Sequence, residues 1–99
     1  MNITKTDADN KVVLSVGGRI DTNTSKEFES VLMQSIDGTT GVVLDFEELD
    51  YIGSAGLRAL LMGEKKSKQL RSSMSLCNVG ENVLAVLEMT GFSDILTIK

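Results

Sequence analysis

One short run constrains this chain more than any other: Gly41-Val42-Val43-Leu44-Asp45-Phe46, set between two stretches of helical spacing. An apolar run of this length is typical of a buried parallel strand, and parallel strands need crossover connections. The flanking segments supply them. Before the run, Phe28, Val31, Leu32 and Ile36 recur at helical spacing. Thr24-Ser25-Lys26-Glu27 matches a capping box at the start of that helix, and Gly38 stands where a C-terminal cap belongs. After the run, Ala55, Leu57, Leu60 and Leu61 predict a second amphipathic helix that reaches about Leu70.

The remaining elements follow the same logic. Val12, Leu14 and Val16 alternate with Val13 and Ser15 in a strand that Gly17-Gly18 should end. A weaker strand over residues 2–7 is joined to it through the Asp9-Asn10 turn and should pair antiparallel. Met74, Leu76 and Cys77 read as a strand, Val83, Val86 and Leu87 as a third helix ended by Gly91, and residues 95–98 as a last strand. The expected fold is α/β in the order β-β-α-β-α-β-α-β, a mostly parallel mixed sheet with right-handed crossovers. No linker or repeat divides the chain, so residues 1–99 should share one core.

Composition narrows the function. The chain has 14 acidic and 10 basic residues, a net charge of −4, which argues against nucleic acid as a partner. Lys65, Lys66 and Lys68 are expected to form a solvated face. There is no His, which removes Ser-His-Asp and Cys-His catalysis and His-based metal sites. Nothing in the pattern calls for a cofactor or a metal, and the chain is not expected to be an enzyme. No apolar stretch is long enough for a membrane span, and the N-terminus is not a signal peptide. The lone Cys77 favours a reducing cytoplasm and is expected to be a small core residue, not a nucleophile. Met62, Met74 and Met89 are expected as core filler.

Chemistry concentrates in Asp50-Tyr51-Ile52-Gly53-Ser54-Ala55-Gly56-Leu57, between the buried strand and the second helix. Open α/β sheets place functional loops at the carboxyl ends of their strands. Ser54 falls at or next to the helix N-cap, where it either caps the helix or accepts a phosphoryl group, a dianion that a helix N-terminus tolerates. Gly53 eases the turn and Gly56 leaves room for close approach of another backbone. Asp21 is either a solvated carboxylate or a neighbour of Ser54 at the same sheet end. Gly17-Gly18-Arg19 lacks both G-x-G-x-x-G and a Walker lysine, so turn formation explains it better than phosphate binding.

Three blocks make the chain resemble the STAS domain family, and within it the small single-domain bacterial anti-sigma factor antagonists. They are Gly18-Arg19-Ile20-Asp21 with Thr24; Val42 to Phe46 with Leu49, Tyr51-Ile52 and Ser54-Ala55-Gly56-Leu57; and Leu87 to Phe92 with Ile95-Leu96. The resemblance implies a STAS-type single domain that binds an anti-sigma factor/serine kinase and frees a sigma factor for transcription. It implies Ser54 as phosphoacceptor, restoration by a PP2C-type phosphatase, and a partner surface of Asp21, Gly53, Ser54, Ala55, Gly56 and Arg58. A cytoplasmic monomer or weak dimer is expected. Two departures stand out: Gly53 replaces the Asp often found before the acceptor, and many members carry a helix beyond the last strand. Its lack here is expected either to expose part of one sheet face or to alter self-association. The alternative function is a STAS subunit of a lipid-transport ABC complex, bound to an ATPase and not phosphorylated.

Overall fold

The computed structural model describes residues 1–99. The chain runs β1 (Asn2–Ala8), β2 (Lys11–Ile20), α1 (Ser25–Ser35), β3 (Gly41–Asp45), β4 (Leu49–Ile52), α2 (Ser54–Gln69), β5 (Met74–Cys77), α3 (Glu81–Met89), a 3-10 turn (Phe92–Asp94) and β6 (Thr97–Ile98). The sheet order is β1-β2-β3-β5-β6, with β4 paired to β2 off that path. β1 is antiparallel to β2, and the pairs β2–β3, β3–β5 and β5–β6 are parallel.

Register explains the core. Val12, Val42 and Met74 lie in one row across the sheet, and Leu14, Leu44, Leu76 and Ile98 in the next. Because strand side chains alternate, these rows share one face. Phe28, Leu32 and Ile36 from the α1 segment, Leu57 and Leu60 from α2, and Val83 and Leu87 from α3 join them in a single cluster of 20 buried apolar residues, against which the partly buried Ile98 packs. Each fully buried side chain of this size contributes about 1.5–3 kcal/mol. The intervening positions include Thr4, Ser15 and Asp45. With Glu47 and Glu48 they line an open hollow of about 390 Å³ on the other face.

Several expectations change. β2 does not end at Gly17-Gly18 but runs to Ile20 through a register shift at Gly18/Arg19. Gly18 has φ +90°, which a side-chain-bearing residue rarely adopts and which lets the strand bulge. β4 was not expected at all: its burial order, in–out–out–in, has no period of two. The last strand is shorter than residues 95–98 because Phe92–Asp94 coils first. Gly38, also at positive φ, lies beyond the actual C-cap Ile36. Gly91 does follow the last residue of α3 and its cap Thr90, with φ +79°.

Side-chain assignments change too. Met74 is core, but Met62 is 39% exposed and Met89 is 87% exposed, so neither fills the interior. Leu61 is half-buried and Cys77 sits half-buried at the end of β5. Lys66 is no solvated charge: its Nζ donates to the Met33 carbonyl at 2.6 Å, a carbonyl at the open end of α1. That bond ties α2 to α1 where basic groups complement the helix dipole.

Candidate functional site

The parallel β2–β4 ladder builds the site. Arg19 is opposite Tyr51 and Ile20 opposite Ile52, and the Gly53 amide donates to the Ile20 carbonyl at 2.8 Å. Asp21 and Ser54 therefore leave the sheet side by side, each at the carboxyl end of its strand. Sequence reasoning left open whether Asp21 is a solvated carboxylate or shares this end with Ser54. The strand that brings Ser54 there is β4, which it did not foresee.

Asp21 is committed to folding. Its Oδ1 accepts from the backbone N–H groups of Asn23 at 3.0 Å and Thr24 at 3.2 Å, and its carbonyl accepts from the Ser25 amide at 2.8 Å. Thr24 holds the N-cap position of α1, yet its Oγ1 makes no helix-capping bond. That oxygen accepts from the Asp21 amide at 2.9 Å and donates to the Arg19 carbonyl at 2.8 Å. The expected capping box is replaced by this Asp21–Thr24 clasp, because Oγ1 is drawn back toward the end of β2. The Asn23 amide, above all, holds the Asp21 carboxyl below its ordinary value. The Thr24 bonds and the Arg19 charge act in the same direction, against a desolvation that raises it.

Ser54 is the first residue of α2 and is exposed. The N-cap is Gly53, no side chain caps the helix, and the first turn holds no acidic residue. The first bond across this end runs from the Leu57 amide to the Gly53 carbonyl at 3.0 Å. Ser54 is therefore not the cap, and its hydroxyl accepts no backbone donor.

Ala55 is half-buried and, with Ser25, Lys26, Glu29 and exposed Arg58, lines a shallow hollow of about 190 Å³ beside Ser54. Gly56 is buried. A Cβ there would stand 2.7 Å from both Ile20 Cγ2 and Ile52 Cγ1, so Gly56 lets α2 seat on the strand ends and offers no surface of its own. Its neighbours are side chains, not the backbone anticipated from sequence.

Sequence reasoning gave no role to Arg19 and Tyr51. The Arg19 guanidinium lies over the Tyr51 ring, 4.1 Å from the centroid, and its Nε is 3.8 Å from Asp21 Oδ2. The strand pairing that brings them together is not visible in local pattern. Cys77 lies apart from this face. Burial foremost, then the Asp45 and Glu47 charges, push its thiol above the ordinary value, so it is a poor nucleophile.

The fold and the open start of α2 define a small α/β domain with an exposed serine at the head of its second helix. The STAS domain family matches residues 2–99, and the chain belongs to that family. It is 32% identical over 99 residues to the proposed anti-sigma factor antagonist BtrV of Bordetella bronchiseptica, covering 99% of this chain and 85% of that one. It is 28% identical over 100 residues to the anti-sigma-B factor antagonist of Staphylococcus aureus, covering 100% and 93%. Its fold is similar to that of the anti-sigma factor antagonist SpoIIAA in its unphosphorylated form, with TM-score 0.82 and 16% identity over 99% of this chain and 88% of that one. The phosphorylated form of the Bacillus protein aligns with TM-score 0.75 and 16% identity over 99% and 91%. No helix here is long and apolar enough to cross a membrane.

Proposed function

We propose that this chain is an anti-sigma factor antagonist whose binding is switched by phosphorylation of Ser54. The observation that carries the reading is the opening of α2, where Ser54 is exposed on a helix start without side-chain cap or acidic residue. Free backbone donors and about half a positive charge at such an end accommodate a phosphoryl dianion.

Unmodified, the face around Ser54, with Gly53, Ala55, Arg58 and the neighbouring Asp21, binds the anti-sigma factor and so releases a sigma factor. Gly56 contributes by seating the helix. The anti-sigma factor acts as a serine kinase: the Ser54 oxygen bonds to the γ-phosphorus of ATP as the β–γ bridging P–O bond breaks, ADP leaves and the hydroxyl proton is released. The product carries roughly −1.5 to −2 extra charge where the partner sat, and contact is lost. A PP2C-type phosphatase restores the serine. These exchanges belong in the cytoplasm, where the sigma factor works.

The test is incubation of the purified chain with each anti-sigma kinase encoded in its genome and ATP, followed by mapping of the modified residue. Phosphate on Ser54 together with release of the kinase is the expected result. Stable binding to an ATPase without phosphate incorporation would replace the switch with a permanent-subunit role.

A further inference from the structure

Beside Ser54 stands a cation that the proposed switch leaves without a role. The Arg19 side chain is 60% exposed, yet its guanidinium is held in place. One face rests on Tyr51, and Nε approaches Asp21 at 3.8 Å, too far for a hydrogen bond. The side chain makes no hydrogen bond, so its outward N–H groups have no acceptor within the chain. Asp21 cannot turn fully toward it, because its other oxygen is engaged by Asn23 and Thr24.

Gly53 leaves room for the platform. A Cβ at that position would lie 3.2 Å from Tyr51 Oη and 3.3 Å from Cε2, so the ring occupies the space a side chain would take. The bulge at Gly18/Arg19 turns Arg19 onto the same side as Tyr51. Where a carboxylate at position 53 would make this face more acidic, the chain presents a guanidinium on an aromatic platform.

We infer that Arg19, braced on Tyr51, is a partner-recognition residue of this face and takes a carboxylate side chain of the bound protein. The inference rests on the reading of this face as the surface that binds the anti-sigma factor. Guanidinium matches carboxylate in a planar, two-bond geometry that Lys cannot reproduce. Prior ordering of the side chain lowers the entropy lost on binding, and Arg and Tyr are the residue types that dominate binding energy at interfaces. With 14 acidic residues against 10 basic ones, the chain as a whole is acidic, so a cation presented on this face is distinctive. A single ordered cation then fixes the docking register. Tyr51 acts through Arg19 as a positioning residue.

The experiment measures binding of the ADP-loaded anti-sigma kinase to the unphosphorylated chain, at two salt concentrations, with melting temperature as the control on folding. Arg19→Ala should weaken binding by roughly tenfold or more, and Arg19→Glu further. Arg19→Lys should recover only part. Tyr51→Leu should weaken binding in the wild-type background and change little in Arg19→Ala. Replacing one acidic residue of the kinase by Lys should restore binding to Arg19→Glu.

Arg19→Glu binding within about twofold of wild type overturns the inference. So does an equal loss from Tyr51→Leu in both backgrounds, or an Arg19 effect confined to the Ser54-phosphorylated chain, which would make the acceptor this chain's own phosphate. Phosphate on Ser54 is scored in parallel samples that hold ATP in place of ADP. Its absence counts against the switch, whereas normal phosphorylation with unchanged Arg19→Glu binding counts against Arg19 alone.

Discussion

Two helices begin within a few residues of the same sheet end, and they begin in opposite ways. α1 opens under the Asp21–Thr24 clasp, which draws on the carboxylate, the hydroxyl and three backbone amides. α2 opens on a glycine with no side-chain bond at all. Neither helix has a side-chain cap, but the residues leading into α1 are bonded through the clasp, whereas those leading into α2 make no side-chain bond. The difference separates a start built to hold from a start left free to be modified or covered. α2 tolerates this because its stability comes from Leu57, Ala59 and Leu60 in the core rather than from its first turn.

Removing the acceptor breaks the contrast most completely. Ser54→Ala should abolish phosphate incorporation from ATP, measured by mass spectrometry, and leave kinase binding insensitive to ATP. Since the hydroxyl caps nothing, the melting temperature should stay within about 1 °C of wild type, by the usual conversion of small stability changes. A marked drop would show that Ser54 holds the helix after all.

Gly56→Ala attacks the seating of α2. Alanine normally stabilises a helix interior by about 1 kcal/mol relative to glycine. Here its Cβ meets Ile20 and Ile52 at 2.7 Å, and overpacking of this kind costs about 1–3 kcal/mol. Urea denaturation should show a net loss; a net gain would mean that the two isoleucines move aside freely.

Thr24→Val tests the other start. It keeps the shape and removes every bond of Oγ1, so unfolding free energy should fall by about 1 kcal/mol. Phosphorylation of Ser54 should persist, which separates the clasp from the switch.

Smaller still is the effect of charge on the open end. Ser54→Asp places a carboxylate in the first turn of α2, where the dipole favours it by about 0.3–1 kcal/mol at low salt. The gain in melting temperature should shrink as salt rises. Partner binding should weaken at the same time.

The acid limb of stability reports on the clasp. Asp21 has its carboxyl held below the ordinary 3.8, so it binds protons less readily folded than unfolded. Its contribution is therefore full above about that value and is lost as pH falls through the lowered folded value. Asp37 shifts the same way, through bonds from Thr39, and adds to the same window. Asp21→Asn should flatten the pH dependence there, read as melting temperature against pH.

How much of this was legible in sequence depends on the range of the forces involved. α1, β3, α2, β5 and α3 announce themselves through the spacing of Phe28 and Leu32, of Val42 and Leu44, or of Leu57 and Leu60, because each must turn its apolar side to one core. Ser54 at the start of α2 was likewise readable from a local turn and a helical period. β4 was not. Its four residues carry no alternation, and they are extended only because the bulged end of β2 offers hydrogen-bonding groups to pair with.

The capping box failed for a related reason. Its residues are present, but the end of β2 lies close enough for Thr24 to bond to the Arg19 carbonyl instead of its own helix. The sequence alone thus determined the class of fold, the order of helices and the position of Ser54, all matters of period and local turn chemistry. Tertiary structure decided that Gly56 is packed against two isoleucines, that Asp21 is bound into a clasp, and that Arg19 rests on Tyr51. The Ile20–Ile52 seat and the Arg19–Tyr51 stack follow from the β2–β4 pairing, a long-range choice that no local pattern encodes, whereas the clasp joins residues two to five apart where the end of β2 turns toward α1.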